Sequence, residues 1–312
     1  MTKRTIHCVY LKKEAEGLDE APFPGDLGQQ VYENISKEAW QSWQAEQTKL
    51  INEYRLNLAD ERAKNFLLEK MVEFLFPKPS HHCWDYDENG PDKWGKLAPA
   101  FFLCDVGKKQ SPIDIETAKT EENDSHTLSF SYSNSLLHVK HNEHSLYVHS
   151  QENDPDQIVT FDEQSYKQVQ FHFHAPSEHL LDGQAIPMEI HFVHKNEAGS
   201  ILVVGVFVQP GAHSDCLETI FSHLPKERGD DIVDFDATVD PADILPEDKN
   251  FYLYDGSLTT PPCSEDVTWI VMQHPITASK EQIKFFEEQI INNNIRPVLQ
   301  LNGRTVYRCG DK

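Results

Sequence analysis

The sequence predicts two folded parts of different class: a small α+β, mainly helical N-terminal module, then a mainly β domain built on a large, mostly antiparallel central sheet. Three observations carry this expectation. From Asn34 to Phe76 apolar residues recur at i, i+3 and i+4, the spacing of a helix that buries one stripe. After residue 83 apolar residues alternate in short runs, separated by Asp, Asn, Gly and Pro, as strands and turns do. Between the two textures, PKPSHH (77–82) carries two prolines that stop a helix and read as a linker. The expected domains are therefore 1–76 and 83–312, and 312 residues provide enough chain for two cores.

Thr5–Leu11 reads as a short strand and APFPGDLG (21–28) as a turn-rich loop. A first helix begins around Ser36 and Glu38, with Ala39, Trp40, Trp43, Gln47, Leu50 and Ile51 as its stripe. A second covers Asp60–Phe76, facing inward through Ala63, Phe66, Leu67, Met71, Phe74 and Leu75. Downstream, SFSYS, LYVHS, VQFHFHA, MEIHFVH, ILVVGVFVQ, FYLYDGS and VTWIVM read as strands. One helix is expected near Ser279–Ile291, capped by Thr277 or Ser279.

Charge narrows the partners. With 28 Lys+Arg against 51 Asp+Glu, the net charge of −23 argues against nucleic acid, whose phosphates need clustered cations. Residues 1–76 hold 10 basic and 13 acidic residues, so most of the acidity belongs to the C-terminal part, where it reads as a solubilising surface. No run approaches the roughly 18 apolar residues of a membrane span. The apolar run at Ile6–Leu11 is short and flanked by charge, unlike a secretory leader, and a cytoplasmic chain is the expectation. The six cysteines contain no CxxC pair, which argues against a cysteine-type structural zinc site.

The chemistry concentrates in two strands. In VQFHFHA, Val169, Phe171 and Phe173 should face one way and Gln170, His172 and His174 the other, because strand side chains have period two. The turn-forming segment 175–187 leads into MEIHFVH, which sets Glu189 and His191 on a common face. A hairpin-like pairing would bring His191 across from the first two histidines. Three neutral imidazoles suit a tetrahedral Zn²⁺ with one position open for water, and Gln170 and Glu189 offer acceptors for the far ring nitrogens. The bland alternative is three satisfied histidines on a solvated face, so the pattern alone stops at a metal site. His172-x-His174-x₃-Glu178 also resembles the motif of cupin-type iron or manganese oxygenases, but 165–171 lacks their usual glycine.

QSPIDI, QFHFHAPSEHLLDG, MEIHFVHKN, YDGSLTTPPCSEDVTWIVM and RPVLQLNGR, in that order, resemble the α-carbonic anhydrases over residues 83–309. The resemblance implies that family's fold and reversible hydration of carbon dioxide to bicarbonate, with Zn²⁺ on His172, His174 and His191. It implies that Thr259 takes the proton of a metal-bound hydroxide and donates its own to Glu178, with Thr260 nearby. It also implies sulfonamide inhibition. Val193, Val203, Leu258, Val267 and Trp269 resemble the apolar wall that holds carbon dioxide; by themselves they read equally as core. HNEHSLYV resembles the segment carrying the family's proton shuttle, which falls on His144, with His138, His141 and His149 close in sequence. Cys104 and Cys263 match a pair that forms a disulfide in many secreted bacterial members, and such a pair suits an oxidising compartment, the periplasm. An inactive, carbonic-anhydrase-like binding protein is the remaining alternative, and the intact triad with Glu178 and Thr259 argues against it.

RTIHCVYLKKEAEGLD, PFPGDLGQQVYENISKEAW and TKLINEYRLNLADERAKNFLLEKMVEFLF resemble the bacterial Fe(2+)-trafficking, or oxidative-damage-protection, proteins over residues 1–76. That resemblance implies iron handling, Fe²⁺ at the module, and partners that maintain iron–sulfur clusters. The residues themselves say less. His7 and Cys8 are adjacent, so on a strand they point apart and cannot share one ion. Cys8 reads equally as a reactive thiol or a small buried hydrophobe.

Overall fold

The computed structural model describes residues 4–59, 61–76, 84–142, 144–150, 154–225, 231–289 and 293–310. The linker expected at 77–82 lies outside them. Two compact units emerge, Met1–Trp84 with Asp92–Gly107, and Asp85–Pro91 with Lys108–Lys312.

In the N-terminal unit, Thr5–Cys8 and Lys13–Glu16 form an antiparallel hairpin, followed by helices Asp26–Asn34, Lys37–Glu53 and Glu61–Leu75. Ser36 caps the second helix, its hydroxyl accepting from Ala39 N at 3.2 Å. The first helix occupies the end of what reads in sequence as a loop. It starts just after Gly25, and Gly28 within it passes Phe23 so closely that a Cβ there would meet the Phe23 carbonyl at 1.8 Å. Glycine reads as a turn in sequence, whereas here it permits close packing. Val31, Ile35, Trp43, Met71 and Leu75, joined by Cys8 from the hairpin, make one buried core. Alternation holds at His7 and Cys8: the His7 side chain is 64% exposed and Cys8 0%.

The C-terminal unit is organised on a 13-stranded mixed sheet, counted among the described residues, and most of its pairings are antiparallel. At its centre lie Leu146–His149, Gln164–His174, Met188–Lys195 and Ile201–Pro210, each antiparallel to the next; Glu265–Met272 then pairs in parallel with Ile201–Pro210. Alternation is plain along Ile201–Pro210 and its neighbour Met188–Lys195. Leu202, Val204, Val206 and Val208 point into one core with Ile190 and Phe192, while Val203 and Phe207 point into a second with Trp269 and Tyr254. Helix Lys280–Gln289 matches the expected one, and its predicted Ser279 cap accepts from Gln282 N at 3.2 Å; Ile291 lies outside the described residues. A short helix at Asp215–Ser222, capped by Ser214 and buried through Leu217, Ile220 and Phe221, is not among the helices expected from the sequence. No helix among the described residues is long and apolar enough to cross a membrane.

Candidate functional site

The register of two strands assembles the site. His191 lies directly across from His172, and Glu189 across from His174. One nitrogen from each of His172, His174 and His191 lies within 4.8 Å of the others. The remaining nitrogens are engaged, which fixes the rings. His172 Nδ1 stands 2.9 Å from Gln170 Oε1, and His174 Nδ1 stands 2.6 Å from the Asn294 carbonyl. His191 Nε2 lies 2.9 Å from Glu189 Oε1, close enough for an ion pair though off the line of a well-formed hydrogen bond. His174 and His191 are each 1% exposed, and His174 Nε2 has no hydrogen-bond partner. A buried, unpartnered imidazole nitrogen is costly unless something binds it. Three such convergent rings fit a tetrahedral divalent cation of zinc type. Glu178 Oε2 stands close behind this set, 3.6 Å from His174 Nε2 and 3.7 Å from His191 Nδ1.

Burial lowers His172 well below the ordinary histidine value, with His174 and His191 adding to the effect, and burial likewise lowers His174. Both rings are therefore neutral, as ligation demands. Burial would raise Glu189, but His179 and His191 beside it outweigh that and hold it well below the usual carboxylate range. Burial also pushes His191 down; the Glu189 carboxylate more than compensates and the net shift is upward.

A cavity of about 310 Å³ opens over the triad, lined by Val193, Val203, Leu258 and Trp269 on its apolar side. Thr259, 6% exposed, and Thr260 also line it. Val267 does not: it is 1% exposed and packs in the core beneath Trp269. Glu178 is 2% exposed, with Oε1 accepting from Arg296 N at 2.8 Å. Its Oε2 has no hydrogen-bond partner, so the Thr259-to-Glu178 bond implied by the family resemblance is not formed here. His144 lies beside the site rather than on the cavity wall. Its ring meets Tyr86 edge-on at 6.3 Å, and Tyr86 does line the cavity.

One expectation is overturned at Val169. Alternation puts it with Phe171 and Phe173, yet it lines the cavity and is 47% exposed, while they are 1% and 0% exposed. Val193 pairs with Gln170 but His194 pairs with Gln168, so Val169 is the extra residue of a β-bulge. A bulge breaks the period of two and re-aims a side chain.

Other contributors carry no local signal. Gly205 sits across from His191, and a Cβ there would come within 2.9 Å of Glu189 Oε1. His179 bridges Glu189 Oε1 at 2.7 Å and the Tyr254 hydroxyl at 2.7 Å, and that hydroxyl is 2.9 Å from Ser111 Oγ. Arg296 extends its guanidinium to Gln110 Oε1 and the Ser111 carbonyl, both at 2.8 Å.

Cys104 and Cys263 are both disulfide-bonded, whereas Cys8, Cys216 and Cys309 are free. Burial raises the Cys8 thiol, but hydrogen bonds from Ser36 and from the backbone near Leu11 and Tyr10 outweigh it and its pKa is lowered. The thiol is nonetheless fully covered. Among the described residues, the N-terminal unit holds no group of three His, Cys, Asp or Glu positioned to share an ion.

Comparison with known proteins follows this geometry. Residues 89–310 match the model of the eukaryotic-type carbonic anhydrases, and residues 1–89 that of bacterial Fe(2+) trafficking. A carbonic anhydrase of Pectobacterium carotovorum is 40% identical over 224 residues, covering 72% of this chain and 89% of that protein. One from a Nostoc species is 40% identical over 230 residues, covering 72% and 86%. The α-carbonic anhydrase of Thermovibrio ammonificans, solved with the inhibitor sulfanilamide, superposes with a TM-score of 0.70 at 39% identity, covering 74% of this chain and all of that one. The histidine triad, the sheet that carries it and these matches agree: the chain belongs to the carbonic anhydrase family and joins that enzyme domain to an N-terminal module of the bacterial Fe(2+)-trafficking type.

Proposed function

We propose that the chain catalyses the reversible hydration of carbon dioxide to bicarbonate and a proton, with zinc held by His172, His174 and His191. The observation that carries this is the convergence of three ring nitrogens, each imidazole being held from behind by Gln170, Asn294 or Glu189. Zinc there lowers the pKa of a bound water and supplies hydroxide near neutral pH, behaviour for which carbonic anhydrases are the standard example.

The chain's own residues supply the rest. Val193, Val203, Leu258 and Trp269 offer an uncharged substrate an apolar surface beside the triad. Glu178 Oε2 is a buried acceptor without a donor, which supports the reading that Thr259 turns its hydroxyl to it once the site is loaded. His144 passes the released proton to solvent, because imidazole gains and loses protons near neutral pH.

The N-terminal module takes part in iron handling, on the strength of its family match alone. Partners in iron–sulfur maintenance belong to the same proposal. The disulfide-bonded state of Cys104 and Cys263 supports an oxidising compartment over the cytoplasm, and fractionation of cells with thiol labelling separates the two.

The test is metal analysis of the full chain together with a carbon dioxide hydration assay, with and without a sulfonamide. One zinc per chain and sulfonamide-sensitive hydration are expected. Iron at the triad with no hydration would overturn the reading.

A further inference from the structure

A row of rings leads away from the triad across the sheet. Tyr147 lies opposite His172 and His149 opposite Gln170, so both side chains share the face that carries the site. One strand further out, Val139 pairs with Val148, which sets His138 beside His149. The spacings are even. Tyr147 is 5.2 Å from His172 between ring centroids, His149 stacks on Tyr147 at 5.9 Å and 21°, and His138 is 5.6 Å from His149. Tyr147 lines the cavity; His149 and His138 are half-buried, and of the two His149 ring nitrogens Nε2 is covered.

We propose that His149 and His138 form a second exit for the proton released in the cavity, alongside His144. The proposal rests on the hydration reading above. The two exits flank one residue. On one side Tyr147 has Asn142, whose Oδ1 accepts from the His144 backbone N–H at 2.8 Å; on the other it carries the His149 ring. The step is a proton transfer with no change of oxidation state. An O–H bond of a cavity water breaks as an N–H bond forms on one nitrogen of neutral His149. The proton on its other nitrogen passes to His138 or to a buffer base, which returns His149 to neutrality. Imidazole suits this because it has one nitrogen to accept and another to release. Tyr147, whose phenol burial pushes up to about 12, acts as the stacking surface between cavity and ring rather than as a base.

Titratable groups that share this face include Lys140, which pairs across from Tyr147, and His172 and His174 on the strand that carries the site; Asp231 pairs across from Lys140. On the outermost neighbouring strand Val233 pairs with His138.

The experiment is oxygen-isotope exchange at chemical equilibrium on the zinc-loaded full chain, which reads carbon dioxide–bicarbonate interconversion and proton-dependent release of water as separate rates. The variants are His144→Ala, His149→Gln and the two combined. Adding His149→Gln to His144→Ala should lower the proton-dependent rate about tenfold relative to interconversion, a modest share of what a positioned acid–base group contributes. Imidazole added to the solution should restore it, and His138→Gln should give a smaller loss of the same kind. An unchanged ratio of the two rates in the double variant, or a parallel fall of both, overturns the second exit while leaving hydration standing. Absence of interconversion in the wild-type chain would instead overturn the hydration reading, and this one with it.

Discussion

Asn294 accepts a 2.6 Å hydrogen bond from His174 Nδ1 through its backbone carbonyl, although 120 residues separate the two. Its side chain holds that carbonyl in place: Oδ1 accepts from Ala175 N at 3.2 Å, and Nδ2 donates to the Phe173 carbonyl at 2.8 Å and to Ser145 Oγ at 3.1 Å. Removing the amide leaves buried groups unpaired, at about 1–3 kcal/mol for each group not re-satisfied. Asn294→Ala should therefore lower the denaturation midpoint and weaken zinc together. A variant with wild-type stability and zinc affinity would show that the carbonyl needs no such support.

Glu189 faces His191 in a pocket that Gly205 keeps open. Replacing the carboxylate by an amide removes the charge that raises His191 and leaves the shape intact. Glu189→Gln should cost about 10–100-fold in zinc affinity, the usual effect of losing the group behind a ligand. Competition with a chelator measures it, and equal affinities would contradict the assigned role.

His144→Ala should slow hydration where proton removal limits the rate, that is, in weak buffer, by about 100-fold or somewhat less. Zinc content should stay at one per chain, because His144 holds none of the ligands. Unaltered turnover in weak buffer would take the shuttle away from His144.

His194 predicts the direction of acid sensitivity. Burial pushes it from 6.5 down to about 3, despite backbone carbonyls at Leu202 and Phe192 that act the other way. Below pH 6.5 an unfolded chain takes up a proton that the folded His194 refuses, so this contribution to stability is complete above 6.5 and is lost as pH falls towards 3. The urea midpoint should drop between neutral pH and about pH 5, a window above the usual carboxylate range, at up to ~1.4 kcal/mol per pH unit. His194→Gln, which keeps an acceptor near the Tyr132 hydroxyl that lies 2.6 Å from Nε2, should flatten that slope. The same slope in both proteins would rule His194 out as its source.

Much of the fold and the heart of the site are legible in the chain because they depend on local periodicity. A period of two puts His172 and His174 on one face, and puts Glu189 and His191 on another strand's common face, before any partner is known. Capping chemistry marks Ser36 and Ser279 for the same reason: each acts within three residues of itself. The helix at Asp26–Asn34 escapes because its Gly28 is required by packing on Phe23, which sequence shows only as a glycine in a turn-like stretch.

By itself the sequence singled out the three candidate ligand histidines, the two strands that bear them, and the family. Tertiary structure alone decided the rest. The bulge that turns Val169 into the cavity comes from a register shift against Val193 and His194, and register belongs to two strands together. Asn294, Arg296, Gly205 and His179 serve the site from remote segments or through backbone groups and missing atoms, none of which leaves a periodic trace. Hydrogen bonds and close packing are set by distance in space, and a sequence records distance only along the chain.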